Sequence, residues 1–194
     1  MRKTSEIFVC AVIILLSCLP ALAQKYELSG GAGGYFPVNL SGVGNAVAIE
    51  GTFSRRLASV PLAALYVELP VVGTLNSKVR TFGLTSSASY SSLFVAPGVK
   101  LKLAPGFLIS PWLAAGGGLA HFSNNTSLAN FTGGGSRNTG VVDFGGGLDW
   151  KIAPFISARA EARDFYSGGI GLSLTSLNER QHNLVTTLGL VLKF

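Results

Sequence analysis

Hydrophobic and polar residues alternate with a period of two in segment after segment of this chain. The clearest case is Leu184–Phe194. Leu184, Thr186, Leu188, Leu190, Leu192 and Phe194 fall on one face, and Val185, Thr187, Gly189, Val191 and Lys193 on the other. Period two marks a β-strand, because successive side chains of an extended backbone point to opposite sides. A strand of about 9–11 residues, tilted, crosses a bilayer, and this one has that length.

The same alternation predicts seven more strands, over residues 25–36, 45–56, 61–72, 88–103, 107–122, 140–152 and 155–166. In the first two, Leu28 and Phe36 oppose Glu27 and Ser29, and Ile49 and Phe53 oppose Glu50 and Thr52. In the next two, Leu65, Val67 and Leu69 oppose Tyr66 and Glu68, and Val99 and Leu101 oppose Lys100 and Lys102. In the sixth, Phe144, Leu148 and Trp150 oppose Asp143, Asp149 and Lys151. In the seventh, Ala158, Ala160 and Ala162 oppose Arg159, Glu161 and Arg163. The fifth is so rich in Gly and Ala that the two faces of the strand do not separate.

Connections alternate in length. Short ones fall at 57–60, 104–106 and 153–154, where Arg56-Leu57-Ala58, Lys102-Leu103-Ala104 and Lys151-Ile152-Ala153 each run into a proline. Long ones fall at 37–44, 73–87, 123–139 and 167–182. An even number of strands, with short turns on one side and long loops on the other, is the plan of a transmembrane barrel with both ends on the short-turn side. The expected fold is therefore all-β: an eight-stranded antiparallel up-and-down transmembrane β-barrel over residues 24–194.

Two resemblances follow from these residues. Thr187, Gly189, Leu192 and Phe194 give a polar residue, a glycine two places on, then two apolar positions two apart. That resembles the β-signal of bacterial outer-membrane barrels, and implies recognition by the barrel-assembly machinery. The whole plan of strands and connections resembles the OmpA-like eight-stranded outer-membrane barrel superfamily. The resemblance implies a bacterial outer-membrane location with both termini periplasmic, a surrounding of outer-membrane lipid that can include lipopolysaccharide, and a monomer.

Composition supports the membrane reading over a soluble one. Charged residues make up 12% of the chain, where a soluble surface carries roughly 25–35%. A soluble lipocalin-type barrel has the same alternation with its polar face outward, and would need many more charges than this. The net charge of +6 is spread along the chain, so nucleic acid is not an expected partner. At the start, Arg2 and Lys3 precede an apolar run from Ile7 to Leu16 and then Ala21-Leu22-Ala23. Residues 1–23 are read as a cleaved export signal. The rival, lipid attachment at Cys18 within Leu15-Leu16-Ser17-Cys18, puts Leu16 where a lipobox does not favour it. Cleavage removes Cys10 and Cys18, leaving no disulfide or thiolate site. No metal and no cofactor are expected, and His182 has no ligand cluster around it in the sequence.

With apolar faces turned outward, the charges meet inside. Glu27, Glu50, Glu68, Asp143, Asp149 and Glu161 are the acids; Lys100, Lys151, Arg159 and Arg163, joined by Arg56, Lys102 and Lys193, are the bases. Buried charges persist when paired and hydrogen-bonded, so an interlocking ion-pair network is expected. Eight strands enclose just enough room for side chains, which excludes a general porin. The expected role is non-enzymatic, structural or surface-interacting, with extracellular loops that include Lys78, Arg80, Arg137 and Arg180. A narrow ion or small-solute channel is one alternative. The other rests on His121-x-Ser123-Asn124, which resembles the His-x-Ser-Asn segment of PagL-type lipid A deacylases. That resemblance implies Ser123 as nucleophile and His121 as base. The family also places a Glu further along, and no acid occurs here between Ser123 and Asp143.

Overall fold

The computed structural model describes residues 25–38, 45–75, 77–79, 87–128, 131–167 and 181–194. The predicted export signal lies outside the described residues. Ten strand segments follow one another: β1 (Tyr26–Val38), β2 (Ala46–Val60), β3 (Ala63–Leu75), β4 (Ser77–Val79), β5 (Ser87–Val95), β6 (Gly98–Leu103), β7 (Ile109–Leu128), β8 (Phe131–Ala153), β9 (Ile156–Ser167) and β10 (Gln181–Lys193). They make eight staves. β5 and β6 both lie between β3 and β7 and form one stave, and β4 is a short extension paired with β5. All pairings are antiparallel, and β1 closes the cylinder by pairing with both β2 and β10.

The split between β5 and β6 falls at Ala96-Pro97, where proline has no N–H to give to the ladder. The neighbouring staves adapt: Gly117 N–H donates to Pro97 O (3.0 Å) and Ala96 N–H to Pro70 O (3.3 Å). A Cβ on Gly116 would stand 2.7 Å from Pro97 O, so the glycine there serves a close backbone approach.

Two predicted connections are corrected. Residues 57–60 are not a turn. β2 runs on to Val60 with a bulge between Arg56 and Ala58, and the chain reverses at Pro61-Leu62. Residues 123–139 are mostly not a loop either: β7 and β8 stay paired as far as Leu128↔Phe131, while the pairing of β8 with β9 ends at Val141↔Ser167. Ladder hydrogen bonds satisfy the backbone whatever the side chains are. A Ser, Asn and Gly composition therefore reads as loop although it continues a hairpin.

The two faces differ as the alternation requires. Leu101, Phe144, Leu188 and Leu190 point outward and are 44–71% exposed, whereas Glu27, Lys100, Asp143, Arg159 and Arg163 are at most 4% exposed inside. An apolar exterior around a closed ladder is what a bilayer-spanning barrel needs, since no backbone group is left unsatisfied in hydrocarbon. The lumen has two storeys. Charged side chains fill the half toward the short turns, hereafter the turn end. Tyr35, Phe94, Phe122, Phe165, Val72 and Val185 form an apolar cluster in the half toward the long connections, the loop end.

Candidate functional site

The ionic storey is built around two arginines on the inward face of β9, Arg159 and Arg163, one on either side of Glu161. Arg163 reaches Glu68 (2.7 Å), Asp143 (2.8 Å) and Glu161 (2.9 Å), each through a different nitrogen. Arg159 grips Asp149 with two bonds, Nε to Oδ1 (2.7 Å) and Nη2 to Oδ2 (3.0 Å). Such forked contacts are stronger and more directional than single ones. Two lysines of β6 complete the lower layer. Lys102 contacts Glu27 and lies 2.6 Å from Asp149; Lys100 joins Glu27 (3.2 Å) to Glu68 (3.3 Å), linking the two arginine centres.

The indole of Trp112 lies among the cations, its ring centroid 4.9 Å from Arg159, 5.3 Å from Arg163 and 5.7 Å from Lys100. Its negative face stabilises charge that has left water. The glycines Gly145 and Gly147 make this possible. A Cβ on Gly147 would lie 2.8 Å from the Trp112 ring, and one on Gly145 2.7 Å from Cγ of Arg163.

Of the ten residues predicted to form the network, nine meet in it: Glu27, Glu50, Glu68, Lys100, Asp143, Asp149, Arg159, Glu161 and Arg163. The tenth is corrected. Lys151 keeps the inward phase, opposite Ser157, but is exposed because it stands at the open mouth, the last residue in register before the bulge at Lys151/Ala153. Arg56 is half-buried, and Lys193 donates to Ser157 Oγ (2.8 Å) at the mouth. Glu50 differs from the other acids. Thr52 and Thr187 hydroxyls donate to its two oxygens (3.0 Å each), while its nearest cation, Arg163 Nε at 3.5 Å, already donates to Glu161.

The expectation of a charge-filled interior holds for one storey only. In the other, the rings of Phe94 and Phe165 stack at 4.8 Å, Phe122 meets Phe94 edge-on at 5.7 Å, and Tyr35 O–H donates to Asn183 Oδ1 (2.7 Å). Sequence reasoning missed this plug, whose signal is the set of aromatic residues lying in phase with the charged ones: Tyr35 with Glu27, Phe165 with Arg163.

On the exterior near the loop end, His121 faces outward. Its Nδ1–H donates to Oδ1 of Asn138 (2.6 Å), the residue opposite it on β8. Ser123 shares that face, without a hydrogen bond to His121; the side chain of Asn124 lies outside the described residues. His182 contacts Asp164, and its ring lies tilted, 4.8 Å from that of Tyr166. Neither Asn138 nor Asp164 is near its histidine in sequence, and only the register brings them together. At the terminal strand Thr187 faces the lumen, and Leu192 and Phe194 face outward. A Cβ on Gly189 would stand 2.7 Å from the Cα of Gly31. No metal-binding cluster of His, Cys, Asp or Glu occurs among the described residues.

A closed antiparallel cylinder of eight staves, greasy outside and packed with ion pairs inside, defines a transmembrane β-barrel of the kind found in outer membranes. Solved structures agree. The chain superposes on the attachment invasion locus protein Ail of Yersinia pestis with a TM-score of 0.57 at 12% identity, covering 88% of this chain and 99% of that one. A major outer membrane protein from Thermus thermophilus gives 0.56 at 14% identity, over 89% and 100% of the two chains. Neisserial surface protein A gives 0.55 at 13%, over 89% and 98%. No protein-family model and no curated protein matches the sequence.

Proposed function

We propose that the chain is a small, non-enzymatic protein of the bacterial outer membrane, a sealed scaffold that holds its loop end outside the cell and both termini in the periplasm. One observation carries the reading: the lumen is filled in both storeys, by an ion-pair network and by an aromatic plug, which leaves the outer surface to do the work. The β7–β8 hairpin, paired as far as Leu128↔Phe131, rises past β9, whose pairing with β8 ends at Val141↔Ser167. The surrounding partner is outer-membrane lipid, and the terminal strand with Thr187, Gly189, Leu192 and Phe194 is the segment offered to the assembly machinery. Both cysteines lie within residues 1–24, so single cysteines test the orientation. On intact cells a membrane-impermeant maleimide should label Ser136→Cys and leave Lys151→Cys unlabelled until the cells are broken. The reverse pattern would overturn the topology.

A second reading is favoured by one specific contact, the His121–Asn138 hydrogen bond. It fixes the tautomer with the proton on Nδ1 and leaves Nε2 able to accept a proton from Ser123, so Asn138 would supply the orienting group that the sequence lacks as an acid. The reaction would be ester hydrolysis on lipid A in the outer leaflet. Lipid A mass spectra from cells expressing the wild type or His121→Ala decide it: identical acylation removes this reading, and acyl loss only in the wild type establishes it.

A further inference from the structure

The charges left outside the lumen are arranged with a marked asymmetry. Of the seven carboxylate side chains among the described residues, six face inward and Asp164 faces outward near the loop end. The turn end therefore exposes no acidic side chain among the described residues. It exposes cations: Lys25, Arg55 and Lys151 are exposed and Arg56 is half-buried. None of these forms an ion pair with a described residue, and a terminal carboxylate on Phe194 would offset one of them at most.

Three of these cations, Lys25, Arg55 and Arg56, occupy one arc of the rim at the adjacent staves β1 and β2, whereas Lys151, on β8, stands four staves from β2 across the barrel. Lys25 sits just before β1, its carbonyl accepting from Arg56 N–H (2.6 Å). The arc is also aromatic. Tyr26 stacks between Phe53 (5.8 Å) and Phe194 (5.9 Å), and the Arg55 guanidinium lies over the Tyr26 ring at 5.9 Å. All three turns carry exposed apolar tips: Val60 and Leu62, Phe107 and Leu108, and Ile152 and Phe155.

We propose that this arc binds anionic phospholipid headgroups of the leaflet at the turn end. The proposal rests on the membrane-barrel reading above. Aromatic rings on an outward face belong where hydrocarbon gives way to headgroups, and Arg55 is held in that layer by its contact with Tyr26. A guanidinium presents the forked donors that phosphate oxygens match, and clustered basic groups attract an anionic leaflet. An acidic soluble protein would meet the mouth from below, away from the outward-facing Phe53, Tyr26 and Phe194.

The test is lipid retention. The folded protein is placed in nanodiscs of mixed zwitterionic phosphatidylcholine and anionic phosphatidylglycerol, released in mild detergent, and its bound lipids are counted by native mass spectrometry. The wild type should retain phosphatidylglycerol severalfold above its share of the mixture, and less at high salt, which screens exposed charges. The triple variant Lys25→Gln, Arg55→Gln, Arg56→Gln should lose the enrichment; Lys151→Gln, across the barrel, and Arg137→Gln, at the loop end, should keep it. No enrichment in the wild type, no loss in the triple variant, or loss only in Lys151→Gln or Arg137→Gln would each overturn the proposal. Failure of the barrel reading would look different: the wild type itself would migrate identically on a gel before and after boiling.

Discussion

The two halves of the lumen solve one problem with opposite chemistry. Toward the turns, ten charged side chains interlock: Glu27, Glu50, Glu68, Asp143, Asp149 and Glu161 with Lys100, Lys102, Arg159 and Arg163. Toward the loops, Phe94, Phe122, Phe165 and Tyr35 pack as they would in a soluble core. In water an apolar plug wins easily, since burial itself stabilises it. Buried ion pairs often contribute little net stability, but losing one partner is costly because the other is left charged and alone. The ionic half should therefore be brittle toward single changes and the aromatic half graded.

Mutations can break that comparison or sharpen it. The largest effect belongs to Arg163→Ala, which strips Glu68, Asp143 and Glu161 of their shared cation and should destabilise by about 5 kcal/mol, the upper end of the cost of breaking a buried pair. Equilibrium urea folding into phospholipid vesicles would measure it, and a loss as small as that of a surface change would contradict the brittle reading. Phe94→Ala, in the other storey, should cost about 3–4 kcal/mol, the cavity cost of a buried ring. Adding phenylalanine volume back at a neighbouring lumenal position, Ala120→Phe, should recover part of it; no comparable rescue is expected for Arg163. Gly147→Ala should cost about 1–3 kcal/mol, because its methyl would meet the backbone oxygen of Ala160 as well as the Trp112 ring, and the displaced indole should shift the tryptophan emission spectrum. Tyr35→Phe removes one hydrogen bond to Asn183 and should cost about 1 kcal/mol. Smallest of all, Glu50→Gln should change stability by less than about 1 kcal/mol, because hydroxyls rather than cations donate to that carboxyl. Glu27→Gln, which loses contacts to Lys100 and Lys102, should cost severalfold more.

How much of this was legible in the sequence depends on the residue. Alternation of Leu, Val and Phe with Glu, Lys and Arg identified the staves and the inward face, because only a two-sided strand separates residue types so cleanly. The identity of the storeys was not legible. Phe94 and Phe165 are the same kinds of residue as the lipid-facing Phe53 and Phe144, and only their phase, shared with Lys100 and Arg163, sets them apart. The triplet Gly145-Gly146-Gly147 is visible in the sequence as a run that leaves space on its strand. Which side chains fill the space, Arg163 and Trp112, needed the register. Lys151 keeps the charged phase but sits at the mouth, the last residue in register before a bulge, and periodicity does not say where along the barrel axis a residue falls. Asn138 beside His121 and Asp164 beside His182 are cross-strand neighbours separated by more than a dozen residues, so the exterior contacts were invisible to any reading along the chain.

The account depends on a lumen closed twice over, once by charge and once by aromatic packing. Single-channel recording across a planar bilayer containing the purified, folded protein tests that most directly. A flat, silent current at all moderate voltages is predicted for the wild type, and also for Phe94→Ala, where the ionic storey still blocks the path. Discrete ohmic steps in the wild type would contradict the account, and steps appearing in Phe94→Ala alone would show that the aromatic plug is the only seal.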